Sequence, residues 1–82
     1  MSVSTHWTTL MKAMQTRRLR KALRDLGCEH ATTKGSHEKW VAPGGHIAIV
    51  KAATKDQAPG TLRNIQAALA EEFGPTWLED LQ

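Results

Sequence analysis

A chain of 82 residues can bury one hydrophobic core but not two, so a single domain must carry whatever site the protein has. Hydrophobic residues make up 40% and charged residues 23%, an ordinary globular balance, and no run approaches the roughly 18 apolar residues that a membrane helix needs. The lone cysteine, Cys28, excludes an internal disulfide and a cysteine-based metal cluster.

Residues 1–9 hold Trp7 and several hydroxyls but neither a basic nor an apolar signal region, from which a cytoplasmic location is expected. We read residues 1–15 as an N-terminal extension and 16–82 as the domain. In the extension Trp7, Leu10, Met11 and Met14 have helical spacing, but continuing that stripe would bring Arg18 into it. The expectation is therefore a separate helical turn or one long bent helix. His6 falls in this extension, away from the rest of the chemistry.

Leu19, Ala22, Leu23 and Leu26 then recur at i, i+3, i+4 and i+7, one stripe of a helix that Gly27 closes. Lys12, Arg17, Arg18, Arg20, Lys21 and Arg24 supply six of the eleven cations in this stretch, whereas Glu71, Glu72, Glu79 and Asp80 make the far end acidic. Such a run suits a phosphate backbone, and it equally describes a solvated helix face.

From Cys28 to Ala53 the pattern changes to short segments rich in β-branched residues, broken at Lys34-Gly35 and at Pro43-Gly44-Gly45. This predicts three antiparallel strands, about 28–33, 36–42 and 46–52. A polar loop with Lys55 and Asp56 follows. Pro59-Gly60-Thr61 opens a second helix, along which Leu62, Ile65, Leu69 and Phe73 recur at helical spacing until Gly74-Pro75 ends it. Residues 76–82, with Trp77, Leu78 and Leu81, predict one more short helical turn over the core. The fold class is thus α+β, a three-stranded antiparallel sheet with both helices on one face, which buries both apolar stripes together.

If Gly44-Gly45 is a two-residue turn, Trp40 faces Ile49, Ala42 faces Ile47, and Glu38 faces Lys51 as a cross-strand ion pair. Alternation then turns His37, Lys39 and Val41 to the face the helices leave open. Ala48 and Val50 fall on that open face as well, because β-branched residues suit strands or because a protein partner covers them. With Lys34-Gly35 as the first turn, His30 becomes a diagonal neighbour of His37 and a possible second proton carrier. His46 sits at the far end of the hairpin. A histidine near neutral pKa suits proton transfer, although most strand histidines are structural. No nucleophile elbow, phosphate loop, HExxH or metal-ligand spacing competes, so neither a metal nor a cofactor is expected. The Gly60 and Thr61 amides suit a phosphate, and an ordinary helix start explains them too.

Lys34-Gly35-Ser36-His37-Glu38-Lys39-Trp40, followed about twenty residues later by Pro59-Gly60-Thr61-Leu62-Arg63-Asn64-Ile65, resembles the HicA family of toxin–antitoxin systems over about residues 16–73. The resemblance implies a double-stranded-RNA-binding-like α-β-β-β-α fold, and a ribonuclease that cuts messenger RNA without a metal and is silenced by a HicB-type antitoxin. It carries the catalytic histidine onto His37, whose flanking Gly35, Ser36 and Trp40 are present; Ser36, the Lys39 charge and His30, placed nearby by the register, are possible supporting groups. Lys34, Lys39, Lys55, Gly60 and Thr61 are the expected RNA contacts. The alternative is a binding module of the same fold that holds RNA or a protein partner without cutting.

Overall fold

The computed structural model describes residues 11–82. A short strand β1 (Met14–Gln15) leads directly into α1 (Thr16–Asp25), and β2 (Glu29–Lys34), β3 (His37–Val41) and β4 (Ile47–Lys51) follow as a meander. Then come a second short strand, β5 (Asp56–Gln57), the helix α2 (Pro59–Ala68), a single turn α3 (Ala70–Phe73) and a closing 3₁₀ turn at Glu79–Leu81. The main sheet has the order β2-β3-β4, all antiparallel, and β1 pairs with β5 in a separate two-stranded ladder. This is the expected α+β architecture. The strands also lie within a residue or two of their expected limits.

In α1 the predicted stripe holds: Leu19 and Leu23 are fully buried, and Leu26 packs at the margin. Gly27 ends the helix with φ 90°, a conformation L side chains rarely adopt, and its amide donates to the Arg24 carbonyl. Leu62, Ile65 and Leu69 of the second helical segment meet Leu19 and Leu23 in one core, with Trp40, Ala42, Ala48 and Val50 from the sheet. Trp77 and Leu78 cover its end, as expected. They are fixed by Gln66, whose carbonyl accepts from Trp77 Nε1 (3.0 Å) and whose Oε1 accepts from the Leu78 and Glu79 amides (2.9 Å each).

The extension departs from the helical expectation where it is described. Residues 11–13 have no regular structure and Met14–Gln15 are extended, with Met14 opposite Gln57 and Gln15 opposite Asp56. Met11 and Met14 enter the core from this extended segment, so their spacing reflects burial without a helix. Trp7, Leu10 and His6 lie outside the described residues. The partner strand hangs on Gln57, which is buried and donates through Nε2 to Thr16 Oγ1 (2.8 Å), the Lys51 carbonyl (2.7 Å) and Thr54 Oγ1 (3.0 Å). A buried amide with its bonds satisfied costs little to bury, and it ties the end of β4 to the start of α1.

The register between β3 and β4 differs by one residue from the two-residue turn expected. Trp40 pairs with Ala48, Glu38 with Val50, Lys39 with Ile49 and His37 with Lys51. The cause is a three-residue loop, Pro43-Gly44-Gly45. Gly45, at φ 96°, completes the reversal, and the Ala42 amide donates to the His46 carbonyl at 2.8 Å. One step in register reverses a strand's faces. Ala48 and Val50 are therefore buried beneath the helices (1% and 0% exposed), and Ile47 and Ile49 lie on the open face (44% and 46%). The expected Glu38–Lys51 ion pair is replaced by one between Glu38 and Arg20 of α1, with Nη2 to Oε2 at 2.6 Å.

Candidate active site

His37 is exposed at the first position of β3. The β2–β3 turn is Gly35-Ser36, one residue later than the expected Lys34-Gly35, with Gly35 at φ 60°, so Lys34 stands opposite His37 across the turn. On its other side His37 faces Lys51 of β4, and Lys39 follows two residues on along the same face. Directly opposed side chains in antiparallel strands have Cβ atoms about 4.5–5.5 Å apart, so the imidazole stands between two lysines. Among the described residues Lys34, Lys39 and Lys51 make no ion pair with an acid. The only ion pairs of Lys and Arg there are Arg20–Glu38 and Lys21–Asp25.

Ser36 is exposed in the turn, and its carbonyl accepts from the Ala52 amide (2.6 Å), which ties the turn to the residue just after β4. Thr61, in the first turn of α2, lines a cleft of about 330 Å³ with His37, Lys51, Ile47, Ile49, Asn64, Ile65 and Ala68. This cleft exists because α2 lies along β4: one side of the helix enters the core and another borders the open face. Gly60 is exposed beside Thr61 but does not line it. Lys55 is elsewhere. It lines a separate cleft of about 370 Å³ with Gln15, Thr16, Arg17, Arg20 and Thr54, around the start of α1.

His30 does not reach His37. Between His30 and Thr32 the pairing slips by one residue, so the alternation of β2 reverses and His30 pairs with Trp40 on the helix-bearing face. There its ring stacks on the Trp40 indole at 5.4 Å between centroids, and Nε2 contacts Thr33 Oγ1 at 2.7 Å. His30 is thus part of the packing around Trp40 and not a neighbour of His37. The same face carries Glu38, whose carboxylate takes Arg20 Nε (3.1 Å), Arg20 Nη2 and Trp40 Nε1 (3.0 Å). Chiefly because of the Arg20 bonds, and despite burial, the Glu38 carboxyl is held below its ordinary range.

Sequence reasoning missed Lys51, Asn64 and the two isoleucines, because each depends on the register and on where α2 lies. The signal for the register was Pro43, which has no amide to donate at the position before a two-residue turn; Asn64 had none. Among the described residues no group of three or more His, Cys, Asp and Glu is placed to hold a metal ion. No helix there is long and apolar enough to cross a membrane.

Two helices backing a three-stranded antiparallel sheet, in the order α-β-β-β-α, define the double-stranded-RNA-binding-like class of small α+β domain. Within that class the comparison with protein families is specific: residues 16–74 match the family described as HicA toxin of bacterial toxin-antitoxin. The match covers well over half of the chain, which belongs to that family and so is the toxin of a pair whose other member is an antitoxin. Neither the curated proteins nor the solved structures gave a match.

Proposed function

We propose that this toxin is an endoribonuclease that cuts messenger RNA in the cytoplasm without a metal ion, using His37 as its general base, and that a HicB-type antitoxin silences it. The observation that carries this reading is the setting of His37, exposed between Lys34 and Lys51 on the open face and lining a cleft beside α2. RNA supplies its own nucleophile. The His37 imidazole takes the proton of a 2′-hydroxyl, the 2′-oxygen bonds to the adjacent phosphorus, and the bond from phosphorus to the 5′-oxygen breaks. That oxygen takes a proton from solvent, leaving a 2′,3′-cyclic phosphate and a 5′-hydroxyl. Lys34, Lys39 and Lys51 offset the charge that grows on the phosphoryl oxygens, and the Ser36 hydroxyl stands beside them. Thr61 and the Gly60 amide meet the neighbouring phosphate at the start of α2. Lys55 and Arg17 receive the strand beyond the end of β4.

Ile47 and Ile49 are the apolar groups beside His37, and an antitoxin that covers them shields the imidazole at the same time. Acidic groups on the antitoxin would meet the lysines that otherwise meet phosphate. The test is the chemistry of the ends formed when the toxin digests a messenger transcript in excess EDTA. The reading requires cleavage, 2′,3′-cyclic phosphate and 5′-hydroxyl ends. Activity lost to EDTA and restored by Mg²⁺, or ends bearing a 5′-phosphate, would contradict it.

A further inference from the structure

We infer that the cleft beside His37 is a base-reading subsite, in which Asn64 hydrogen-bonds the edge of the unpaired base next to the scissile phosphate. The inference rests on the reading of His37 as the cleaving residue. It adds which part of the RNA lies in the cleft and which side chain distinguishes it.

The ends of the cleft are chemically different. β4 finishes at Lys51, and α2 starts close to that point, because Gln57, two residues before the helix, holds both the amide and the carbonyl of Lys51. The helix then runs back along the strand. His37, Lys51 and Thr61 consequently gather at one end, and Asn64 and Ala68 follow toward Ile49 and Ile47. Two residues of extended chain separate Lys51 from Ile49, roughly 7 Å, which is within one nucleotide's reach of a phosphate held at Lys51. The cationic end suits a phosphate. Beyond it two half-exposed isoleucines offer a flat apolar floor, which suits the face of a base.

Asn64 is the polar side chain over that floor, and it is exposed. It makes no hydrogen bond to another side chain among the described residues. A carboxamide carries a donor and an acceptor side by side, the complement of the adjacent N6 amino group and ring nitrogen of adenine. Sequence-selective recognition of RNA uses such edges on unstacked bases, and a cleft of about 330 Å³ is large enough for one base but not for a duplex. Cytosine offers such a pair on one edge and adenine on two, with N1 and with N7, and adenine is the base assigned.

The experiment has two arms. In the first, cleavage sites on a pool of randomised RNA are sequenced for the wild type and for Asn64→Ala, with Thr61→Val as a second variant in the same cleft. The wild type should prefer adenine beside the cut, and Asn64→Ala should lower that preference roughly ten-fold, within the range of one bidentate contact. Thr61→Val should slow cleavage and keep the preference. In the second arm, His37→Ala protein is titrated with short oligoadenylate and oligouridylate, with and without Asn64→Ala, so that base selection is read without cleavage. Selective binding that needs Asn64, in a toxin that does not cut RNA, would uphold the subsite and sink the nuclease reading. An unchanged adenine preference in both arms overturns the subsite. So does a loss of antitoxin affinity in Asn64→Ala without any change toward RNA, which would make the cleft a protein interface.

Discussion

Trp40 is held by contacts from three directions: the His30 ring stacks on it, the Arg24 guanidinium lies 5.5 Å from its centroid, and its Nε1 donates to Glu38. At 1% exposure it is the largest side chain wholly inside the core. Trp40→Ala should cost about 3–5 kcal/mol in a chemical denaturation, the range for emptying a large aromatic site. A change under about 1 kcal/mol would mean that the indole is not a core anchor. Glu38 adds a pH dependence. Its folded-state pKa is depressed, first by the bonds from Arg20, so its stabilisation is complete above the ordinary carboxylate range and is lost as pH falls through the lower folded value. Arg20→Met should therefore lower the melting temperature at pH 7 and narrow the difference between pH 7 and pH 3. A variant with an unchanged gap would show that the pair contributes nothing.

The strands and helices were legible because alternation and helical spacing are local properties. Glu38 and Trp40 mark one face of β3, which Ala42 continues just beyond the strand, and Leu62, Ile65 and Leu69 one stripe of the second helical segment. Register was not legible from the strands themselves, since it depends on how many residues a loop takes. Pro43 occupies a loop position, and that one residue moves Val50 inward and Ile49 outward. The consequence is measurable. Val50→Glu should destabilise strongly, by more than about 3 kcal/mol, because it places a carboxylate without a partner in the core. Ile49→Glu should change stability by less than about 1 kcal/mol yet weaken antitoxin binding, read by paired melting and calorimetry. Equal melting temperatures for the two variants would contradict the pairing of Lys39 with Ile49.

The other end of the same hairpin is clasped to α3. Glu72 accepts from the Gly44 amide (2.6 Å) and the His46 amide (3.1 Å), and its Oε2 lies 2.5 Å from His46 Nδ1, while His46 Nε2 reaches Glu71 at 2.9 Å. These carboxylates, Glu72 first, raise the His46 pKa. A raised folded value means that the clasp is fully stabilising below the ordinary histidine range and weakens as pH rises through the raised value. Hydrogen exchange at the Gly44 and His46 amides should accordingly show protection falling as pH rises through that range, beyond the intrinsic pH effect. Glu72→Gln should remove the excess, and an excess that persists would place its origin elsewhere.

For the molecule as a whole, the order of elements and the exposed place of His37 could be read from residues 16–82, because the glycine turn before His37, expected at Lys34-Gly35 and found at Gly35-Ser36, and the Pro59-Gly60-Thr61 helix start are local signals. The surroundings of His37 could not. Lys51 and Asn64 reach it only through the β4 register and the path of α2, and His30 leaves it through a one-residue slip in β2. The β1–β5 ladder likewise depends on Gln57, a buried amide in a stretch that reads as polar loop.

In the proposed function the fold presents one imidazole among lysines to RNA. That function is tested most directly by cleavage of a messenger transcript by wild-type toxin and by His37→Ala, each first shown by thermal melting to be folded. The variant should melt within a few degrees of the wild type, as expected for an exposed strand residue, and form no product above background. A folded His37→Ala protein that cuts the transcript at the wild-type rate would contradict it.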